Sequence, residues 1–547
     1  MLYKEISRVL SFYLLYLAMA LCIALGVAAY YEYVAAPEMH PQPHTTMAFV
    51  YAIAIDLGLA ALFRIIGHNA VGRLHRREGL ALVVMIWFVT AIVGGLPFYL
   101  SSTFSSPVDS YFEAMSGLTT TGASLMAPKY YDEKTGEEVP YHKEISGPYK
   151  NEYTFYGTIN PIRNDDGDII IEGVEAVGKG VLFWRSFIQW LGGMGIVVLF
   201  VAILPALGVG GKVLFHAEAT GPFTESVTPR IKETAGLLWK IYLGLTVLET
   251  AFLMITNKAM SFFEAITITF STLSTGGFCV RNESIGFFQS PATEWVVLLF
   301  MIAGGTNFAL YFYCLKGKFY RLKDPEFYLF IALVAAGTVF MMLSLFGTEK
   351  ELLTGEVSTF GFWESLRYGM FQLLSAQTST GFATANFNIW PLDCQSLMII
   401  VMFIGGMSGS TSGGMKVIRF YMVNNILYRK LTTIFRPDTV TTFKIRNTTV
   451  DDKTAMTVLS FIALLVFVTV GGSFFYIVDG VGPETALSIV ACMLNNVGIA
   501  FRVAGPTESF AFLSTAGKIV GSVIMVMGRL ELFAVLIIFL PSFWKRA

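Results

Sequence analysis

Four short turns carry the residues in this chain best suited to chemistry. They read Thr119-Thr120-Thr121-Gly122, Ser274-Thr275-Gly276-Gly277, Ser379-Thr380-Gly381 and Asn495-Asn496-Val497-Gly498. Each closes a segment that opens on an acid: Asp109, Glu264, Glu364 or Glu484. Backbone carbonyls can replace a cation's water shell without burying a fixed charge, and rings of them make ion-selective filters. Glycine reaches the φ/ψ values that aim successive carbonyls inward, and a hydroxyl before it adds oxygen with little bulk. A short helix ending at such a turn points its partly negative end at the ion, and an acid at its start offsets the other end. One Thr-x-Gly alone reads as a helix cap. Four in matching settings read as quarters of one ring through which a cation passes.

The elements that must hold such a ring follow from composition. The chain is 54% hydrophobic and 14% charged, against roughly 25% charged in soluble domains, which makes it a polytopic membrane protein. Net charge is −1, and nothing in it suggests a nucleic-acid partner. The five cysteines are scattered, and the six histidines form no HExxH or other ligand spacing, so neither a zinc site nor a disulfide framework is expected. No cofactor and no enzymatic activity are expected.

Apolar segments long enough to span a bilayer run over 10–36, 46–66, 80–101, 182–208, 237–256, 295–315, 327–346, 397–422, 455–478 and 517–540. The first has no small-residue cleavage site and reads as a retained helix. Every second loop is basic: Lys4 and Arg8, Arg73 to Arg77, Lys212 to Lys232, Lys316 to Lys323, Arg429 to Arg446, and Lys545-Arg546. That alternation puts both termini in the cytoplasm and requires each turn-bearing segment to enter and leave from the outer side. Those segments are too short to cross: about 12 helical residues rise roughly 18 Å, against a hydrocarbon core of about 30 Å. The fold expected is an all-α polytopic membrane protein. Two leading helices (1–77) precede four pseudo-symmetric helix, re-entrant loop, helix units at 78–233, 234–323, 324–451 and 452–547. A polar insert, 127–180, sits outside in the first unit. Its Asn164-Asp165-Asp166-Gly167-Asp168 run reads as a turn feeding a strand, since the spacing fails the pattern of a calcium loop.

The sequence resembles the superfamily of potassium transporters that includes the bacterial Trk and Ktr and the plant and fungal Trk/HKT proteins, and within it the TrkH branch. The resemblance lies in the four turns, in Trp190-Leu191-Gly192-Gly193-Met194-Gly195, Ala202-Ile203-Leu204-Pro205, Gly528-Arg529-Leu530-Glu531, and the run from Gly405 to Lys416. It implies potassium uptake across a bacterial inner membrane, channel-like, with proton- or sodium-coupled symport as the alternative. It implies filter residues Thr120, Thr121, Gly122, Ser274, Thr275, Gly276, Ser379, Thr380, Gly381, Asn496, Val497 and Gly498, with Gly122, Gly276, Gly381 and Gly498 as the filter glycines. The fourth turn, with Asn496-Val497, departs from the other three. The resemblance also implies a homodimer bound to a cytosolic nucleotide-binding regulatory subunit, with the basic 429–453 loop as the contact.

Residues 404–415 interrupt an apolar span with five glycines, too many for a continuous helix at about 1 kcal/mol each. They read as an intramembrane gate formed by Gly405, Gly406, Ser408, Gly409, Ser410, Thr411, Gly413 and Gly414. Lys416 and Arg419, just after, are expected to face a cytoplasmic vestibule or snorkel. Arg529 lies in the last span, where a charge must face the bundle interior, and is assigned to the gate. Asp56 and Glu249 are intramembrane acids suited either to coupling or to pairing. Trp190–Gly195 reads as a small-residue packing site.

Overall fold

The computed structural model describes residues 3–35, 40–68, 70, 76–132, 134–145, 151–195, 231–436, 444–445, 448–506 and 508–544. The Ala202–Pro205 motif and the basic residues Arg73, Lys212, Arg230, Arg446, Lys545 and Arg546 lie outside them. The protein is a mostly helical, multi-span membrane protein. Its leading helices, α1 (Tyr3–Tyr33) and α2 (Thr46–Ile66), pack along each other. Four times the chain then runs as a long helix, a short helix and a second helix. The long ones are α3 (Arg76–Leu100), α6 (Ile231–Thr256), α10 (Pro325–Leu345) and α14 (Asp452–Val478). The short ones are α4 (Pro107–Leu118), α7 (Phe262–Leu273), α11 (Phe362–Gln377) and α15 (Pro483–Leu494).

The short helices begin where their sequences say they should. Ser106 caps α4, accepting from Val108 N, with Pro107 at the first helical position, where a missing N–H costs nothing. Ser261 and Glu264 form a reciprocal capping box on α7. The Glu364 carboxylate accepts from Gly361 N at 3.1 Å on α11, and Pro483 opens α15. Each opening acid also holds a base: Asp109 with Lys518 (2.6 Å), Glu264 with Arg281 (2.6 Å), Glu364 with Lys350 (2.7 Å) and Glu484 with Arg502 (2.8 Å).

Six helices among the described residues are apolar and long enough to cross a membrane: α1, α2 and the four long helices. The second helices are different, because each stops partway. The first, α5 (Lys179–Gly193), is capped at Met194, and residues 196–208 of the span expected there lie outside the described residues. Next, α8 (Pro291–Gly305) and α9 (Phe308–Leu315) meet at 97°. Then α12 (Leu392–Ile404) and α13 (Val417–Phe435) flank the glycine-rich run, and α16 (Thr515–Arg529) breaks before α17 (Leu532–Leu536). This corrects the reading of 295–315 and 517–540 as unbroken spans. Thr306 and Asn307 make the first break, with Asn307 capping α9 through Ala309 N, and Glu531 at φ 63° makes the second. Such short polar interruptions vanish in a window of twenty apolar residues.

The polar insert adds paired strands to the helical body. β1 (Tyr130–Tyr131) pairs with β2 (Glu138–Val139), β3 (Tyr141–Ile145) with β4 (Asn151–Phe155), and β5 (Ile162–Arg163) with β6 (Ile169–Ile171). The last hairpin turns at Asn164–Asp168, where Asp168 N donates to Asn164 Oδ1 at 2.7 Å, the turn chemistry the sequence foretells. Tyr153 and Phe155 pack on Phe512, Tyr153 Oη accepts from Gly482 N at 2.8 Å, and Lys143 pairs with Glu508. On the other side Asn282 Oδ1 accepts from Val174 N and its Nδ2 donates to Glu172 O. The insert thus straps the second repeat to the fourth.

Candidate functional site: a ring of four turns and the loop beneath it

The four turns meet, and they do so cyclically. A Cβ built on Gly122 would collide with Gly276 O, one on Gly277 with Thr380 O, one on Gly381 with Val497 O, and one on Gly498 with Thr121 O. Each glycine therefore abuts the carbonyl of the next turn, and no side chain fits at any of the four. All four take φ between 75° and 85°, open to glycine at no steric cost. Two residues earlier, Thr120, Thr275, Ser379 and Asn496 take φ of 52–56°. That conformation costs on the order of 1–3 kcal/mol per non-glycine residue and persists only where the surroundings over-determine it.

The cycle corrects one register. The structural counterpart of Gly122, Gly381 and Gly498 is Gly277, and Gly276 occupies the position of Thr121, Thr380 and Val497. Two adjacent glycines allow either alignment; Gly276 was the expected filter glycine, and the contacts between turns give Gly277 instead. Ser274 accordingly aligns with Thr119 and caps α7, its Oγ donating to Ser271 O at 3.2 Å.

On the insert side of the ring lies a cavity of about 430 Å³, whose lining includes Gly122, Gly277, Gly381 and Gly498 below and Tyr141 and Glu172 of the insert above. Burial, with Tyr130 beside it, pushes the Tyr141 phenol well above its ordinary pKa.

On the opposite side the run from Gly405 to Lys416 packs against the ring. Gly405, Gly409 and Gly414 turn it with φ of 73–76°, and its ends rejoin through Met415 N to Phe403 O at 3.0 Å. It touches three quarters of the ring directly, and Arg529 links it to the remaining one. Thr411 Oγ1 donates to Leu273 O (2.9 Å) and Gly304 O (3.0 Å) beside the second turn. Gly413 N donates to Ser379 Oγ (2.6 Å) in the third, and a Cβ on Gly413 would collide with Asn495 O in the fourth. Arg529 supplies the first: its Nη1 donates to Thr120 Oγ1 (3.0 Å) and Thr411 O (2.7 Å), its Nη2 to Gly192 O (2.7 Å) and Gly193 O (2.8 Å). Inside the run, Gly406 N donates to Ser412 Oγ and Ser410 Oγ to Met407 O, while Ser408 N donates to Glu326 Oε1 of α10 at 2.6 Å. The four turns, the 405–416 run and Arg529 thus lie in one place, with Gly277 in the position expected of Gly276 and Ser274 at a helix cap.

Lys416 and Arg419 do not snorkel. Both are buried, Lys416 donating to Ser412 O and Arg419 pairing with Glu531 at 2.6 Å while lying 4.1 Å over the Phe461 ring. The Trp190–Gly195 stretch does pack tightly, with Gly192 against Leu118 O and Gly193 against Ser274, but its carbonyls also receive Arg529. No group of three or more metal-ligating side chains occurs among the described residues.

Comparison with known proteins fits this geometry. The model of a family described as TrkH, cation transport protein, matches residues 164–546. The chain belongs to the TrkH cation transport protein family. TrkH-family relatives include the Trk system potassium uptake protein TrkH of Halomonas elongata, 34% identical, covering 91% of this chain and 92% of the relative. The protein of that name in Salmonella typhimurium is 32% identical, covering 91% and 92%. The crystal structure of the potassium transporter TrkH from Vibrio parahaemolyticus superposes with a TM-score of 0.77 at 30% identity, covering 100% of both chains.

Two features of this TrkH-family protein were not singled out in its sequence. Arg185 on α5, 4% exposed, pairs with Glu113 of α4 at 2.8 Å and donates to Cys279 O just past the second turn. Gln189, one helical turn on, reaches the second turn itself. A charge and an amide four apart in a buried span were the available signal.

Proposed function

We propose that the ring of four turns is a potassium filter and that this chain takes up potassium through it across a bacterial cytoplasmic membrane. The observation that supports this best is the cyclic contact of four glycines with four carbonyls, which brings backbone oxygen from every repeat to one axis. Relatives sharing about a third of its residues along 91% of its length are named for potassium uptake. Residues 405–414 and Arg529 act as the gate, holding the filter's inner end shut. On this reading both termini and the basic loops lie in the cytoplasm and the insert roofs the outer mouth. The protein works as a homodimer opened by a cytosolic nucleotide-binding subunit, and the chain needs no cofactor of its own.

The test is flux in proteoliposomes under a potassium gradient alone. Uptake without a second ion supports the pore. Strict dependence on protons or sodium favours coupled symport, for which two carboxylates are the candidates. Asp56 and Glu249 are both fully buried; among the described residues no donor reaches the Asp56 carboxylate, and only the Thr272 hydroxyl, which also donates to Ile268 O, lies near that of Glu249. Arg529→Ala removes four charge-assisted hydrogen bonds and should raise basal flux roughly tenfold. Level or reduced flux would contradict the gate.

A further inference from the structure

The second turn lacks a side chain where the others have Thr121, Thr380 and Val497. That space is not empty. A Cβ built on Gly276 would meet the Gln189 carboxamide, 2.6 Å from Cδ and 2.8 Å from both Nε2 and Oε1. Gln189 is fully buried. Its Nε2 donates to Gly276 O at 2.6 Å and its Oε1 accepts from Phe278 N at 3.2 Å, so both polar ends grip the turn on either side of Gly277.

The counterparts on other helices sharpen the point. Gly192, Gly304 and Gly528 each seat a second helix against a short helix's final carbonyl: Leu118 O, Leu273 O and Leu494 O. Three residues before each stand Gln189, Met301 and Met525. Gln189 stands on the helix whose Gly193 packs against turn two, which lacks that side chain, whereas Met301 stands on the helix whose Gly305 packs against Thr378 of turn three and Met525 on the helix whose Arg529 reaches Thr120 of turn one, and both those turns keep it. The helix facing Gly276 carries the one residue that can fill the gap and hydrogen-bond the exposed peptide groups.

We propose that Gln189 is a positioning residue of the filter, replacing from a neighbouring helix the side chain that Gly276 lacks and fixing the direction of the Gly276 carbonyl. This rests on the reading of the ring as a potassium filter. Gln189 and Gly276 then form one coupled unit, and a side chain can return to position 276 only if Gln189 gives up its space.

The experiment is the potassium-to-sodium permeability ratio from bi-ionic reversal potentials of the purified full-length protein in planar bilayers. Gln189→Met, which keeps length and removes both hydrogen bonds, should lower the ratio roughly fivefold while conduction persists. Gly276→Ala should lower it in the native background and restore part of it on Gln189→Ala. A ratio within about twofold of wild type in Gln189→Met, or equal effects of Gly276→Ala in both backgrounds, overturns the proposal. If Gln189→Met does not fold, the two Gly276→Ala backgrounds decide alone. Gly122→Ser separates the two layers: if it changes the ratio and the Gln189 variants do not, only this inference fails. If it too leaves the ratio unchanged, the filter reading itself fails.

Discussion

Turns one and three stand on their own chemistry, whereas turns two and four borrow theirs. In turn one the Thr119 hydroxyl lies 2.8 Å from that of Thr121 and 2.7 Å from Met115 O. Turn three repeats this with Thr378, Thr380 and Leu374 O at 2.8 and 2.7 Å. In both, two successive amides converge on one carbonyl, Ser116 O or Ser375 O. Turn two has one such amide, Gly276 N to Ser271 O, with the Ser274 hydroxyl on the same carbonyl, and Gln189 holds its far side. Turn four has Val497 N to Cys492 O, and Asn496 Nδ2 reaches out to Thr121 Oγ1 (2.9 Å) and Met525 O (3.0 Å). The ring is symmetric in backbone and alternates in bracing. Its weak points should therefore lie where turns two and four meet helices α5 and α16.

Asn496→Ala is the strongest way to break that comparison. It removes both borrowed bonds of turn four and one partner of turn one, and should lower the potassium-to-sodium ratio roughly tenfold. Thr378→Val tests the opposite case. Turn three keeps its paired amides and the Ser379 contact to Gly413, so the variant should lose about 1 kcal/mol of thermal stability with the ratio little changed. A larger selectivity loss in Thr378→Val than in Asn496→Ala would erase the distinction. Glu484→Gln, far from the bracing, sets the floor. Its carboxylate is 61% exposed and its pair with Arg502 should contribute less than about 1 kcal/mol, with no selectivity change.

How much of this the sequence disclosed depends on the kind of contact. The four turns, their opening acids and the insert's hairpin rest on local chemistry, and the structure has them at those positions. The glycine-rich run was legible because five glycines override helix propensity. Gly277 was missed because its identity in the ring depends on which carbonyl of another repeat it touches. Arg529's acceptors are the carbonyls of Gly192, Gly193 and Thr411, which no side-chain pattern reveals. Lys416 and Arg419 were expected to face a vestibule or snorkel because their partners, Ser412 O and Glu531, lie at a loop and a helix break that apolar windows conceal.

The central claim is that the four abutting glycines line the ion's path. Bi-ionic reversal potentials of wild type and Gly122→Ser test it most directly, since a Cβ and hydroxyl at that position must displace Gly276 O. The account predicts a wild-type preference for potassium and a loss of roughly tenfold or more in the variant. Equal permeability ratios in two conducting proteins would contradict it.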